Sequence, residues 1–231
     1  MGSRRQADRR AVTLELFGHP FSSYCWKAAI ALDEAGVDWT WRVIEPGSEW
    51  TPVWEKLWPI KRFPVLRDGE RVVAEASAII EYLHVHHRGA GNDPLIPDDA
   101  NAAVDVRMLD RFFDHYVSDP QARFVFNAIR PEDKRDPLAE AEGGAMLERA
   151  YAWLEGHLAG RTWAAGEVFS MADCAAAPAL FYADWTYPLA DRFPAVTAYR
   201  QRLLARPSVA RAVDGGRPYR AFFPLGPPDR D

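Results

Sequence analysis

The spacing of hydrophobic and polar positions changes character near residue 90. Before it, short apolar runs alternate with segments that are apolar on one helical face. Val12 to Leu16 alternates apolar and polar, the period-two pattern of a half-buried strand. After a turn at Gly18 to Phe21, the Ala-rich stretch Ser23 to Ala35 predicts a helix that stops at Gly36. Trp39 to Ile44 is aromatic and β-branched and predicts a second strand. A strand–helix–strand unit of this kind crosses over right-handed into parallel pairing. Pro46 to Pro59 reads as a loop. Phe63 to Leu66 and Arg71 to Ala74 read as two strands joined at Asp68 and Gly69, an Asp-Gly pair that marks a tight hairpin. Ala76 to about His87 predicts a helix with Ile79, Ile80 and Leu83 on one face.

Gly, Asn, Asp and Pro crowd together from Gly89 to Pro94, the composition of a boundary. Beyond it, helical periodicity runs through Asn101 to Val117, Leu138 to Leu158, Met171 to Trp185 and Ala195 to Ala205, with no strand pattern. The expected fold class is an α/β thioredoxin-like domain over residues 11–88, a linker over 89–98 and an all-α domain over 99–231. Residues 1–10 read as a frayed start.

Composition narrows the function. A chain of 231 residues that is 48% hydrophobic, with nine Trp and twelve Phe, has material for two modest cores. The longest apolar stretch, Cys174 to Trp185, is interrupted by Pro178 and Asp184 and falls short of the about 18 residues a membrane span needs. The charged first ten residues have no apolar run behind them, so no secretory signal is read. No membrane partner is expected. Net charge is −5 with Lys and Arg scattered, which argues against nucleic acid. The two cysteines, Cys25 and Cys174, have no metal-like spacing and point to a reducing cytoplasm. His84, His86 and His87 cluster at a helix end, but their spacing splays the rings and no Cys or carboxylate completes a set. No metal is expected.

Three short segments carry candidate chemistry. Ser22 and Ser23 open the first helix, where free N–H groups and the macrodipole favour negative charge. A hydroxyl there can lower the pKa of a thiol, or it can simply cap the helix, which is the plainer role for Ser22 taken alone. Phe63 and Pro64 open a strand. If their bond is cis, Val65 presents main-chain groups to which a peptide can pair as an added strand. Glu75, Ala76 and Ser77 start the second helix, whose N-terminus suits a carboxylate while Glu75 suits an ammonium. Together they would hold an amino-acid head group. A solvated Glu beside a helix cap is the alternative.

In this order the segments resemble the cytosolic glutathione transferases, and the resemblance covers about Val12 to Pro224. The family's Ser-x-x-Cys/Ser opening appears as Ser22 to Cys25. The run from Ser22 to Leu32 is similar to the serine-type, zeta/theta-like bacterial branch. The resemblance implies that Ser22 is the hydroxyl stabilising the glutathione thiolate, with Ser23 a near alternative. It implies that the Val65 backbone pairs with the cysteinyl unit beside a cis turn at Phe63 and Pro64. Glu75, Ala76 and Ser77 would form the γ-glutamyl site, and Arg62, or Lys61, would pair with the glycyl carboxylate. Ser170 and Asp173 resemble the family's buried-helix capping box, and Ala205 to Ala210 its usual helix break. Two departures stand out: Ala76 replaces the usual Ser, and Trp58 replaces the usual Asn.

The implied activity is transfer of glutathione, the co-substrate, to a small electrophile, in a cytoplasmic homodimer. Part of the aromatic run through Phe112, Phe113, Tyr116, Phe124 and Phe126, otherwise core, would line the acceptor site. Two alternatives stand beside this reading: a glutathione-dependent disulfide reductase, and a non-catalytic binding or scaffold protein of the same fold.

Overall fold

A computed structural model describes residues 13–88 and 93–231. Four strands, β1 (Leu14–Gly18), β2 (Trp39–Val43), β3 (Val65–Asp68) and β4 (Arg71–Ala74), form one sheet in the order β2-β1-β3-β4. β1 runs parallel to β2, with Leu14 opposite Trp39, and antiparallel to β3, with Leu16 opposite Leu66. β3 and β4 close a hairpin in which Gly69 takes φ +57, the left-handed conformation an Asp-Gly turn requires. Alternation along β1 splits the packing. Leu14 and Leu16 join the main core with α1 (Ser23–Glu34) and α3 (Ala76–His86), while Phe17 joins Ile44, Trp54 and Val65 on the opposite face.

The strand and helix order follows the hydrophobic pattern, with three helices added. α2 (Thr51–Leu57) lies inside the segment read as a loop. Pro52 occupies its first turn, where the missing N–H has no partner to lose, and Trp54 is its buried anchor. The helix expected over Asn101 to Val117 is α4 (Ala100–Phe112), which widens into a π-helical turn (Phe113–Ser118) and passes directly into α5 (Asp119–Ala128). The last addition, α9 (Pro207–Gly216), starts at the Pro read as a break. α6 (Pro137–His157), α7 (Met171–Thr186) and α8 (Pro194–Leu204) complete the bundle, and a 3-10 turn (Arg217–Phe222) leads into the tail. The Val12 start expected for β1, residues 1–10 and the Gly89 to Asn92 part of the linker lie outside the described residues.

α7 is the axis of the molecule. Every residue from Met171 to Trp185 is buried, so the helix has no polar face to read from the sequence. Its start is fixed by Asp173, whose carboxylate accepts from the Ser170 N–H at 2.8 Å, the Ala164 N–H at 2.9 Å and the Tyr199 hydroxyl at 2.6 Å. α1 docks against it through Trp26, whose ring lies 4.9 Å from Phe181 and 5.3 Å from Tyr182.

Charged groups also join the two halves. Lys27 on α1 is 1% exposed, and its Nζ lies 2.7 Å from both Asp110 on α4 and Asp114 on the π turn. Arg206, before α9, holds Glu34 at the end of α1 through two hydrogen bonds, and Arg107 on α4 holds Glu81 on α3. Among the described residues, no helix is long and apolar enough to cross a membrane.

Candidate functional site

A cavity of about 690 Å³ opens where the start of α1, the turn before β3 and the start of α3 face α5, Tyr182 and the tail. Phe21 and Ser22, at the end of the loop from Gly18 to Ser22, line one side of it. That loop is tied down on several sides. Ser22 N–H donates to the His19 carbonyl at 3.0 Å, Phe21 N–H donates to His19 Nδ1 at 3.1 Å, and the Trp26 indole donates to the Pro20 carbonyl. Burial holds the His19 imidazole below its ordinary pKa, against the pull of Glu45, which suits an acceptor nitrogen. From the helical domain, the Tyr182 hydroxyl donates to the Phe21 carbonyl at 2.9 Å.

Ser22 is the N-cap of α1, with φ −94 and ψ 127, and its Oγ accepts from the Cys25 N–H at 3.4 Å. Capping uses a lone pair and not the O–H, which can donate to a sulfur, either the Cys25 thiol behind it or one brought by a ligand. The two roles weighed from the sequence are therefore compatible at one side chain. Ser22 and Ser23 are both half-buried and line the cavity. Cys25 is turned away from it and fully buried. Burial pushes its thiol up to about 12, although hydrogen bonds from Ser22 and the His19 main chain pull the other way. Gly18 makes room for it: a Cβ at that position would stand 2.4 Å from the Cys25 Sγ.

The second wall is the turn from Trp58 to Pro64. Its Phe63–Pro64 peptide is cis, and Lys61 takes φ +56. Trp54 anchors the turn by donating from its indole to the Arg62 carbonyl at 3.1 Å. The Arg62 side chain is exposed, lines the cavity and has no partner among the described residues, whereas Lys61 pairs with Glu55 at 2.9 Å. Here the structure departs from the sequence reading. Val65 is 0% exposed, does not line the cavity and sits between strands, opposite Phe17 on β1 and Ala74 on β4, so it has no open side on which to add a strand. Phe63, two residues earlier, lines the cavity, and neither its N–H nor its C=O has a hydrogen-bond partner among the described residues.

The third wall is the start of α3. Glu75 is its N-cap at φ +71, and no side chain caps the first-turn N–H groups. Lys61 and Glu75 are the two non-Gly residues with positive φ among the described residues, and both line this cavity. Such conformations cost about 1–3 kcal/mol each and persist where the surroundings impose them. Ala76 also lines the cavity. Ser77, expected beside it, does not: its hydroxyl donates to Asp110 at 2.8 Å and accepts from Lys27 at 2.8 Å and Arg111 at 2.7 Å, inside the cluster that joins the domains.

Across from these walls lie Ser118, Asp119, Gln121, Val125, Phe126 and Ile129 of the helical domain, with Tyr182 and Phe223 beneath and Phe222 at the rim. Of the aromatic run read from the sequence, Phe113 is core and Phe126, 57% exposed, is cavity wall. Tyr24, which the sequence reading passed over, also faces the cavity. Burial, followed by the charges of Asp114 and Asp119, raises its pKa and keeps the phenol protonated. Its position between Ser23 and Cys25 was the available signal. For the tail residues the sequence offers none. Among the described residues, no group of three or more His, Cys, Asp or Glu is arranged to hold a metal ion.

Comparison with known proteins agrees with this geometry. Residues 16–91 match the glutathione S-transferase N-terminal domain, and residues 137–202 match the glutathione S-transferase C-terminal domain. Glutathione S-transferase 3 of Zea mays is 30% identical over 228 residues, covering 93% of this chain and 96% of that protein. The zeta-class glutathione S-transferase of Euphorbia esula is 29% identical over 168 residues, 69% of this chain and 71% of that one. Among solved structures, a glutathione S-transferase from Methylobacillus flagellatus with glutathione bound superposes with a TM-score of 0.77 at 25% identity, covering 87% of this chain and 98% of that chain. The chain belongs to the glutathione S-transferase family.

Proposed function

We propose that this protein ionises the thiol of glutathione at Ser22 and directs the thiolate to a small electrophile held against α5 and the tail. The observation that carries this reading is the Ser22 hydroxyl, whose proton is not used in capping, at a helix N-terminus in a cavity whose other walls suit the two ends of the tripeptide. The Phe63 main chain pairs with the cysteinyl unit. The uncapped start of α3 at Ala76 takes the γ-glutamyl carboxylate, and Glu75 takes its ammonium. Arg62 is free to meet the glycyl carboxylate. Ser77 acts from behind, tying α3 to Lys27 and Asp110. Cys25 is a bystander, which weighs against a two-cysteine redox cycle. The Zea mays relative and the Methylobacillus flagellatus protein support the transferase class.

The finer assignment follows the Ser22 to Leu32 resemblance: a serine-type, zeta/theta-like branch. Two unpaired buried cysteines fit a reducing compartment, the cytoplasm. A homodimer is supported by Val85 on α3 and by Val104 and Met108 on α4, apolar side chains left 66%, 61% and 54% exposed on two helices that Glu81 and Arg107 hold together.

A hydrogen bond to a charged sulfur is worth roughly 1.5–3 kcal/mol. The helix dipole adds about 0.3–1 kcal/mol. Their sum lowers the thiol pKa by ~1.5–3 units. Thiolate absorbance of the glutathione complex, titrated against pH, tests this directly. Wild type should ionise about two units below free glutathione, and Ser22→Ala should lose most of that shift. Identical titrations would remove Ser22 from thiol activation, and the same measurement on Ser23→Ala would follow.

A further inference from the structure

The cavity carries opposite charge at its two ends. Lys61 and Arg62 stand at the turn before β3, and Asp119, the first residue of α5, stands in the wall supplied by the helical domain. Around Asp119 that wall is apolar, formed by Val125, Phe126, Ile129 and Phe222. One Asp119 oxygen lies 3.4 Å from the Tyr24 hydroxyl, and the other lies 3.1 Å from His115 Nδ1. A phenol does not cancel the carboxylate charge. Two more carboxylates, Asp114 and Glu75, act on the same tyrosine hydroxyl. Asp114 is offset by Lys27 at 2.7 Å, and bound glutathione would occupy Glu75 through its ammonium. Asp119 is then the uncompensated charge of the acceptor half, where none of the described lining residues is Lys or Arg.

We propose that Asp119 sets the charge preference of the second substrate: electrophiles with an apolar body and a cationic group are favoured, neutral ones follow, and anionic ones are disfavoured. This preference presupposes the glutathione thiolate at Ser22. At about 5 Å and an effective dielectric near 40, one unit charge facing Asp119 changes association by roughly tenfold in either direction. The effect weakens as salt is raised.

Para-substituted benzyl chlorides bearing trimethylammonium, tert-butyl or carboxylate groups form a suitable series, the first two being near-isosteric. In each, the sulfur of the thiolate forms a C–S bond to the benzylic carbon as the C–Cl bond breaks. Chloride leaves with the bonding pair, and the thiol proton has already passed to solvent. At pH 8 and low salt, kcat/KM is divided by the uncatalysed rate constant with free glutathione, which removes intrinsic reactivity. The ammonium compound should exceed the tert-butyl compound about tenfold and the carboxylate should fall about tenfold below it, with Asp119→Asn compressing the whole spread to about two- to threefold. A carboxylate acceptor as good as the tert-butyl one, or a spread unchanged in Asp119→Asn, overturns the proposal while leaving the transferase reading intact. A protein that accelerates none of the three, and shows no thiolate band with glutathione, overturns both.

Discussion

Replacing Lys27 by Met isolates the charge cluster that joins the domains. The ammonium is 1% exposed and lies 2.7 Å from Asp110, 2.7 Å from Asp114 and 2.8 Å from the Ser77 hydroxyl. Asp110, itself 0% exposed, keeps Arg111, but Asp114 loses its ion-pair partner. Removing one member of a buried pair costs about 3–5 kcal/mol, because the other charge stays behind. For a chain of this size, that lowers Tm by roughly 6–20 °C. Urea unfolding followed by tryptophan fluorescence and by far-ultraviolet circular dichroism measures the loss and reports whether the two halves still unfold together.

The sign of the pH effect is fixed by Asp114. Burial already holds its pKa above the ordinary carboxylate range, with Lys27 pulling it down, so the lysine's removal raises it further. A group whose folded value is raised stabilises the fold while protonated and loses that contribution as pH rises through the folded value. The Lys27→Met deficit should therefore be largest near pH 7.5 and shrink toward pH 5, and adding Asp114→Asn should recover part of it at neutral pH. A loss under about 1 kcal/mol that does not change with pH would refute the reasoning. It would mean that water reaches these carboxylates and carries the charge in place of the lysine.

Arg62→Ala should weaken glutathione binding about two- to fivefold by calorimetry, the scale of an exposed charged contact, and Lys61→Ala should do less because Glu55 already holds that ammonium. Cys25, pushed up to about 12 and buried against Gly18, should resist an aromatic disulfide reagent at pH 8 until the protein is unfolded; rapid labelling of the native protein would show the thiol to be accessible. Burial raises the Glu34 pKa, but hydrogen bonds from Arg206 and Ser208 and the charges of Arg206 and Arg211 outweigh it, so the net value is lowered. That contribution is present above about pH 4.3 and lost as pH falls through the folded value, so the urea midpoint should drop on acidification with a slope that Arg206→Ala flattens.

Local chemistry was legible in the sequence; apposition was not. The Asp68–Gly69 turn, the strand alternation of Leu14 and Leu16 and the Ser170–Asp173 cap each rest on neighbours a few residues away. α2, α5 and α9 lie outside the helices that the periodicity predicts, yet Pro52, Pro120 and Pro207 each stand in a first turn, where proline begins a helix as readily as it ends one. Pro64 marked the right turn but not which neighbour's main chain stays open. That depends on β4 closing the far side of Val65. Ser77 was read as facing the ligand because helix rotation is invisible in a short motif. Burial of Ile79, Ile80 and Leu83 sets the rotation of α3 and delivers that hydroxyl to Lys27, 50 residues away. Tyr24 and Asp119 are separated by 95 positions, so no local pattern links them.

The Tyr182 hydroxyl reaches the Phe21 carbonyl across 161 positions of chain. On the ribosome, the segment carrying Ser22 therefore emerges long before the group that fixes its loop. A nascent chain stalled after β4 and α3 has every residue assigned to glutathione, yet lacks the clasp that holds one side of its pocket. On the proposed assignment, competence for the tripeptide follows the docking of α7, late in synthesis, and not the closing of the sheet.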